Sequence, residues 1–196
     1  MPLRIGISVC PRTGPAAEPI PASLGGATIF EEGRLLEAAI RAGEIDAVIE
    51  VSLTDLAAEL LGTGFGAGPD RLTAASLAGV PQVVVLGGLD GARADQLEFV
   101  RTTPDQNDRL GQEIAFKLSA SRGPVAIVMP RGGLSVLDVP GGPFWNPAAD
   151  AALFQSVRNW ISPDVEVIEI DAHVCDEACA AAVVAAFRAT INRPKR

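Results

Sequence analysis

Short apolar runs of strand length alternate with longer stretches of helical period along this 196-residue chain. Leu-Arg-Ile-Gly-Ile-Ser-Val at 3–9 predicts the first strand. A helix follows over 33–42, with Leu35, Leu36, Ala39 and Ile40 on one face. Residues 46–51 predict a second strand and 55–61 a helix that stops at Gly62. Another helix over 70–78 closes at Gly79, and 82–86 reads as a buried strand ending in Gly87-Gly88. The second half repeats the alternation, with strands at 97–101, 124–129 and 165–170 and helices at 104–119, 147–160 and 176–191. Thr103 and Asn146 stand where helix N-caps belong, each followed by a proline at the first helical position.

Alternating strands and helices imply crossover connections and a parallel sheet covered on both faces. The strand runs are continuously apolar, as burial on both sides requires. The expected fold class is therefore α/β: a Rossmann-like, doubly wound, mostly parallel sheet in one domain over 1–196. Residues 10–30 fit this pattern least. They are rich in Pro and Gly and show no helical period where a first crossover helix belongs.

Hydrophobic residues make up 48% of the chain and charged residues 20%, which excludes a largely disordered protein. No apolar stretch approaches the roughly 20 residues of a membrane span, and the first residues lack the order of a signal peptide. The cytoplasm is the expected compartment. A net charge of -8 argues against nucleic acid as a partner, because phosphates would be repelled. The one basic cluster is the tail at 193–196, read as solvated. Cys10, Cys175 and Cys179 are an odd number and do not form a disulfide framework. His173, Cys175 and Cys179 supply only three obvious ligands where a structural zinc site takes four, so no metal is expected.

Ligands of open parallel sheets gather beyond the C-terminal strand ends, and glycine-rich turns fall there. Gly66, Gly68 and Arg71 precede a helix, Gly88 follows a strand, and Arg131-Gly132-Gly133 follows another. Arg101, Thr102 and Thr103 join a strand to a helix start. Such turns suit a small anionic ligand, a phosphate or carboxylate, held by these residues and Ser135. The alternative is that the glycines only make tight turns; none of them forms a Walker A sequence. His173 is the only histidine, in Asp171-Ala172-His173-Val174-Cys175-Asp176, and is a candidate general base, with Asp138 or Asp176 to orient it. Residues 132–147 read as an extended loop in which Phe144 and Trp145 act as a lid, a subunit contact or a local plug.

Ala67-Gly68-Pro69-Asp70-Arg71-Leu72, Gly79-Val80-Pro81-Gln82-Val83-Val84 and Gly88-Leu89-Asp90 resemble a known family, as do Arg101-Thr102-Thr103, Gly133-Leu134-Ser135, Leu137-Asp138, Pro143-Phe144 and His173 with Asp176. It is the family of Tm-one-like ATP-binding domain proteins, after a tomato mosaic virus resistance protein. The resemblance covers roughly 33–190 and the second of the family's two Rossmann-like subdomains. It implies association with ATP or another nucleotide and assembly into oligomers; a separately encoded N-terminal half is an expected partner. In a plant member it implies binding to a viral replication protein. The family's Ala-Thr-Gly-Thr-Gly-Gly-Arg turn is replaced here by Ala27-Thr28-Ile29-Phe30-Glu31-Glu32-Gly33-Arg34, whose carboxylates compete with a phosphate. The stretch from Gly91 to Val100 is also too short for the family's insert. The expected function is a small-molecule-binding or regulatory module, homo-oligomeric or paired with that half. The alternative is a hydrolase or lyase acting on a small anion through His173.

Overall fold

The computed structural model describes residues 2–93 and 99–194. Six strands form the main sheet: β1 (Ile5–Ser8), β2 (Thr28–Phe30), β3 (Ala47–Glu50), β4 (Gln82–Val85), β7 (Val125–Pro130) and β8 (Glu166–Ile170). Their order is β2-β1-β3-β4-β7-β8, and every neighbouring pair is parallel. Gly6, Val48, Gln82 and Val125 lie in one register line across the central strands. The doubly wound α/β class read from the pattern is the fold of the molecule.

Both faces are covered. In β4, Val83 and Val85 face one core and Val84 the other, the period of two that a pleated strand imposes. The first core is closed by α1 (Gly14–Ala17), α2 (Pro19–Leu24) and α8 (Glu177–Ile191), through Ala16, Ile20, Val183 and Phe187. On the other face lie α3 (Gly33–Arg41), α4 (Thr54–Leu60), α5 (Ala74–Ala78), α6 (Pro104–Ser119) and α7 (Pro147–Trp160). Thr103 caps α6 in a full capping box with Gln106, and Asn146 caps α7 by accepting the Ala149 N–H at 3.2 Å.

Three segments differ from the pattern reading. Residues 10–30 contain two short helices and β2, an edge strand of three residues that is largely exposed and so carries no buried alternation. The strand expected at 97–101 is β6 (Phe99–Arg101), which pairs antiparallel with β5 (Gly91–Arg93) outside the main sheet; 97–98 lie outside the described residues. The helix expected from 70 begins at Ala74, because 70–73 form turns with Leu72 at φ 68°. Of the basic tail, Arg193 pairs with Glu166, and Lys195 and Arg196 lie outside the described residues.

The strand order fixes where the sheet divides. From β1 the chain crosses to β2 on one side, then returns past β1 to build β3, β4, β7 and β8 on the other. Connections therefore leave β1 and β3 in opposite directions, which opens a crevice beyond their C-terminal ends.

Candidate functional site

A cavity of about 450 Å³ occupies that crevice, within the usual size range of small-molecule sites. Its floor is Ser8, Val9 and Cys10 at the end of β1 and Ser52 and Thr54 beyond β3. Its walls are Glu31, Glu32, Gly33 and Arg34 at the start of α3, Asp55 and Ala58 on α4, and Phe65, Gly66, Ala67 and Phe99. The floor is a chain of small polar groups. Ser8 Oγ donates to the Ser52 carbonyl at 3.3 Å, Ser52 Oγ lies 3.3 Å from Thr54 Oγ1, and Cys10 Sγ lies 3.5 Å from Thr54 Oγ1.

Beneath the α3 wall sits Arg71, fully buried. Its two terminal nitrogens donate to both Glu50 oxygens at 2.6 Å, its Nε reaches Asp55 at 3.0 Å, and Nη1 lies 3.4 Å from Glu37. Glu37 in turn accepts the Leu72 and Ala74 N–H groups at 2.6 and 2.8 Å. Burial, and then the charge of Glu50, push the Glu37 carboxyl above its ordinary range. Gly33 is required here, because a Cβ would overlap the Asp55 and Arg71 side chains.

The residues singled out from the turns fall in two places. Gly66 lines the cavity, and the neighbouring Gly68, at φ 92°, donates its N–H to Glu59 at 3.1 Å. Arg71 stands behind the wall, engaged as above. The others lie along the rim between β4 and β8. Gly88, at φ 71°, offers its carbonyl to Arg12 Nη2 at 2.9 Å and to Thr54 Oγ1 at 3.0 Å. Arg101 donates to the Phe144, Asn146 and Asp90 carbonyls and pairs with Asp150 at 2.6 Å. Thr102 is buried and donates to the Leu89 carbonyl, and Thr103 is the cap of α6. Arg131 is half exposed, 3.7 Å from Glu169. Gly132 and Gly133 pack directly against Ala172 and His173.

This rim is knit shut. Arg12 lies between the rings of Phe99 and Phe144, 4.6 and 5.6 Å from their centroids, and pairs with the buried Asp90 at 3.1 Å. Asp90 also accepts Ser135 Oγ at 2.6 Å. Phe144 thus plugs the rim over Arg12, while Trp145 stands exposed. His173 accepts the Cys175 N–H at Nδ1 (3.1 Å), so Nε2 carries the proton and donates to the Ser135 carbonyl at 3.0 Å. Neither aspartate touches the imidazole: Asp176 accepts the backbone N–H of His173, and Asp138 that of Leu134.

The Asp138 and Asp150 carboxyls are near neighbours on this rim. Asp138 Oδ1 is a buried atom with no hydrogen-bond partner among the described residues. Burial, then the Asp138 charge, raise the Asp150 carboxyl to about 7, against the pull of Arg101. Burial likewise raises Asp90 and Cys175, and takes the Cys179 thiol to about 12, so a nucleophilic thiolate at 175 or 179 is disfavoured.

The sequence reading missed most of the cavity: Ser8, Cys10, Ser52, Thr54, Asp55, Phe65 and Phe99. The signal that finds them is the strand order, which depends on recognising three-residue β2 inside a glycine-rich stretch.

Residues 31–100 and 92–191 match the family described as uncharacterised protein family UPF0261, C-terminal domain. The chain is 32% identical over 171 residues to a UPF0261 protein of Clostridium tetani, covering 77% of this chain and 42% of the relative. A UPF0261 protein of Rhizobium meliloti is 30% identical over 181 residues, 82% of this chain and 46% of that one. The ToMV resistance protein Tm-1(GCR237) of Solanum lycopersicum is 26% identical over 176 residues, 79% of this chain and 23% of that protein. The chain spans less than half the length of each of these relatives.

Proposed function

Because the chain belongs to the UPF0261 family through its C-terminal domain, we propose that it is a small-molecule-binding module whose ligand lies in the crevice between β1 and β3. The observation that carries this reading is the coincidence of a 450 Å³ cavity with the point where the strand order reverses. The chemistry of the lining supports it as well. Hydroxyls of Ser8, Ser52 and Thr54 orient a ligand from below, carboxylates flank it, and Phe65, Phe99 and Ala58 supply apolar surface. The β4–β8 rim carries more charged groups, yet they bind one another.

The module works together with a second folded part. The matched relatives are more than twice as long as the segment they share with this chain, and an N-terminal half like theirs, or another copy of the module, would supply that part. Nucleotides enter the reading through the family resemblance. Glu31 and Glu32 line the wall at the α3 start, where a polyphosphate would have to sit.

Thermal melting tests the reading directly. Amines, sugars, organic acids and nucleotides are each added to the chain and to Ala67→Phe, whose ring fills the crevice. A ligand at 100 times its Kd adds about 2.7 kcal/mol, or roughly 5–10 °C for a domain of this size. At least one class raises the melting temperature of the wild type and not of the variant. No shift from any class removes the reading.

A further inference from the structure

We infer that the crevice ligand is a small organic cation, an amine or guanidinium on a short apolar or hydroxylated frame; this rests on the crevice reading above. The basis is the balance of charge around the cavity. Glu31, Glu32 and Asp55 line it, and Glu50 and Glu37 stand directly behind the α3 wall. Against these five carboxylates stand the guanidinium groups of Arg34, Arg41 and Arg71, each already engaged, while Arg12, which donates to Thr54 Oγ1 on the floor at 3.2 Å, is neutralised by Asp90. Arg34 is tied to Glu32 at 2.5 Å, Arg71 is shared by Glu50, Asp55 and Glu37, and Arg41 lies 3.6 Å from Glu37. Five minus three leaves two negative charges without a cation. The raised Glu37 carboxyl agrees with that surplus, since the charge of Glu50 is one of its causes.

The start of α3 faces the same cavity and carries a partial positive charge that would favour an anion. That charge already has acidic neighbours. Glu32 occupies the N-cap position, and Asp55 packs so closely under Gly33 that no Cβ fits between them. An incoming phosphate would meet the Glu31 and Glu32 carboxylates on the same wall as the α3 N-terminus and Arg34. An ammonium group meets the wall carboxylates and the oxygens of Ser8, Ser52 and Thr54 below, with Arg34, itself paired to Glu32, as the lining cation. Aromatic surface completes the environment. Phe65 and Phe99 line the cavity, although Phe99 is already covered on one side by the Arg12 guanidinium 4.6 Å from its centroid.

Isothermal titration calorimetry with putrescine, agmatine and spermidine tests the inference, with ATP, glucose 6-phosphate, citrate and ribose as the anionic and neutral arms. The protein is the full chain as wild type, Glu31→Gln, Ala67→Phe and Glu44→Gln, the last an exposed acid outside the cavity lining. At least one cation binds saturably. Its Kd weakens about 3- to 10-fold in Glu31→Gln, since one partly desolvated charge pair is lost. Binding disappears in Ala67→Phe and is unchanged in Glu44→Gln. Amide chemical-shift mapping on the wild type gives an independent readout, with shifts at 8–10 and 31–34. If an anion or a sugar binds at an Ala67-sensitive site and no cation does, the inference falls and the crevice reading stands. Cation binding that survives Ala67→Phe, or weakens equally in Glu44→Gln, is diffuse attraction to a chain of net charge -8 and overturns it. If no probe of any class binds, the crevice reading itself falls.

Discussion

The C-terminal edge of the sheet has two halves that look alike in sequence and differ in what their polar groups face. At the β1/β3 end, hydroxyls and carboxylates surround a 450 Å³ cavity. At the β4–β8 end, Arg12, Asp90, Ser135, Arg101, Asp150, Asp138 and His173 form a continuous buried network, closed over by the loop through Phe144. Glycines, arginines and aspartates occur at both ends, so residue type does not separate a binding site from a polar clasp. The strand order does, because only the β1/β3 end lies where the crossovers diverge.

The contrast breaks most sharply at the boundary between the two kinds of environment. Arg71→Ala leaves Glu50 buried without a counter-charge and Glu37 with only Arg41, and should cost about 3–5 kcal/mol in urea denaturation. A loss under 1 kcal/mol would mean that the wall of the crevice is wet rather than packed. The sealed rim should announce itself through pH. Asp150 releases its proton near 3.8 when unfolded and near 7 when folded, so between these values the folded state holds more protons. Stability therefore falls as pH rises from about 4 to about 7, by about 2–4 kcal/mol. The raised Asp90 and Glu37 act in the same direction, whereas Asp46, held at about 2 by Arg4, acts only below that window. In Asp150→Asn the fall should be smaller. Equal slopes in the two proteins would show that Asp150 is not the group behind the fall.

His173→Ala separates a clasp from a catalytic group. It leaves the Ser135 carbonyl and the Cys175 N–H without their partner, so it should lower stability by about 1–3 kcal/mol. Ligand affinity at the crevice should not change. The smallest effect belongs to the open end: Glu31→Gln should leave the melting temperature within about 1–2 °C of the wild type, because Glu31 is exposed and surface substitutions usually stay within ±0.5 kcal/mol. A larger change would mean that Glu31 holds the fold together instead of facing a ligand.

Most of the fold was legible because buried strands and long helices write their period into the chain. Residues 83–86 and 124–129 are continuously apolar, and Thr103-Pro104 and Asn146-Pro147 announce their helices. The β2 strand was not legible: three residues at an exposed edge have no buried face to repeat, and their pairing with β1 is a long-range choice. The crevice was lost with it. The glycine turns were read correctly as lying at strand ends, since Gly88, Gly132 and Gly133 all do. What a sequence alone does not show is which neighbour satisfies each side chain. Arg101 looks like an anion ligand until Asp150, Asn146 and Phe144 are seen to converge on it from 43 to 49 residues away.

The central claim is that one end of the sheet edge is open to ligands and the other is filled by its own side chains. Soaking crystals of the full chain with a fragment library of mixed charge tests it without assuming any ligand. The account predicts that bound fragments concentrate between Ser8, Thr54, Glu31 and Phe65. Fragments clustered instead beside Arg101 and Gly132, with the crevice empty, would contradict it.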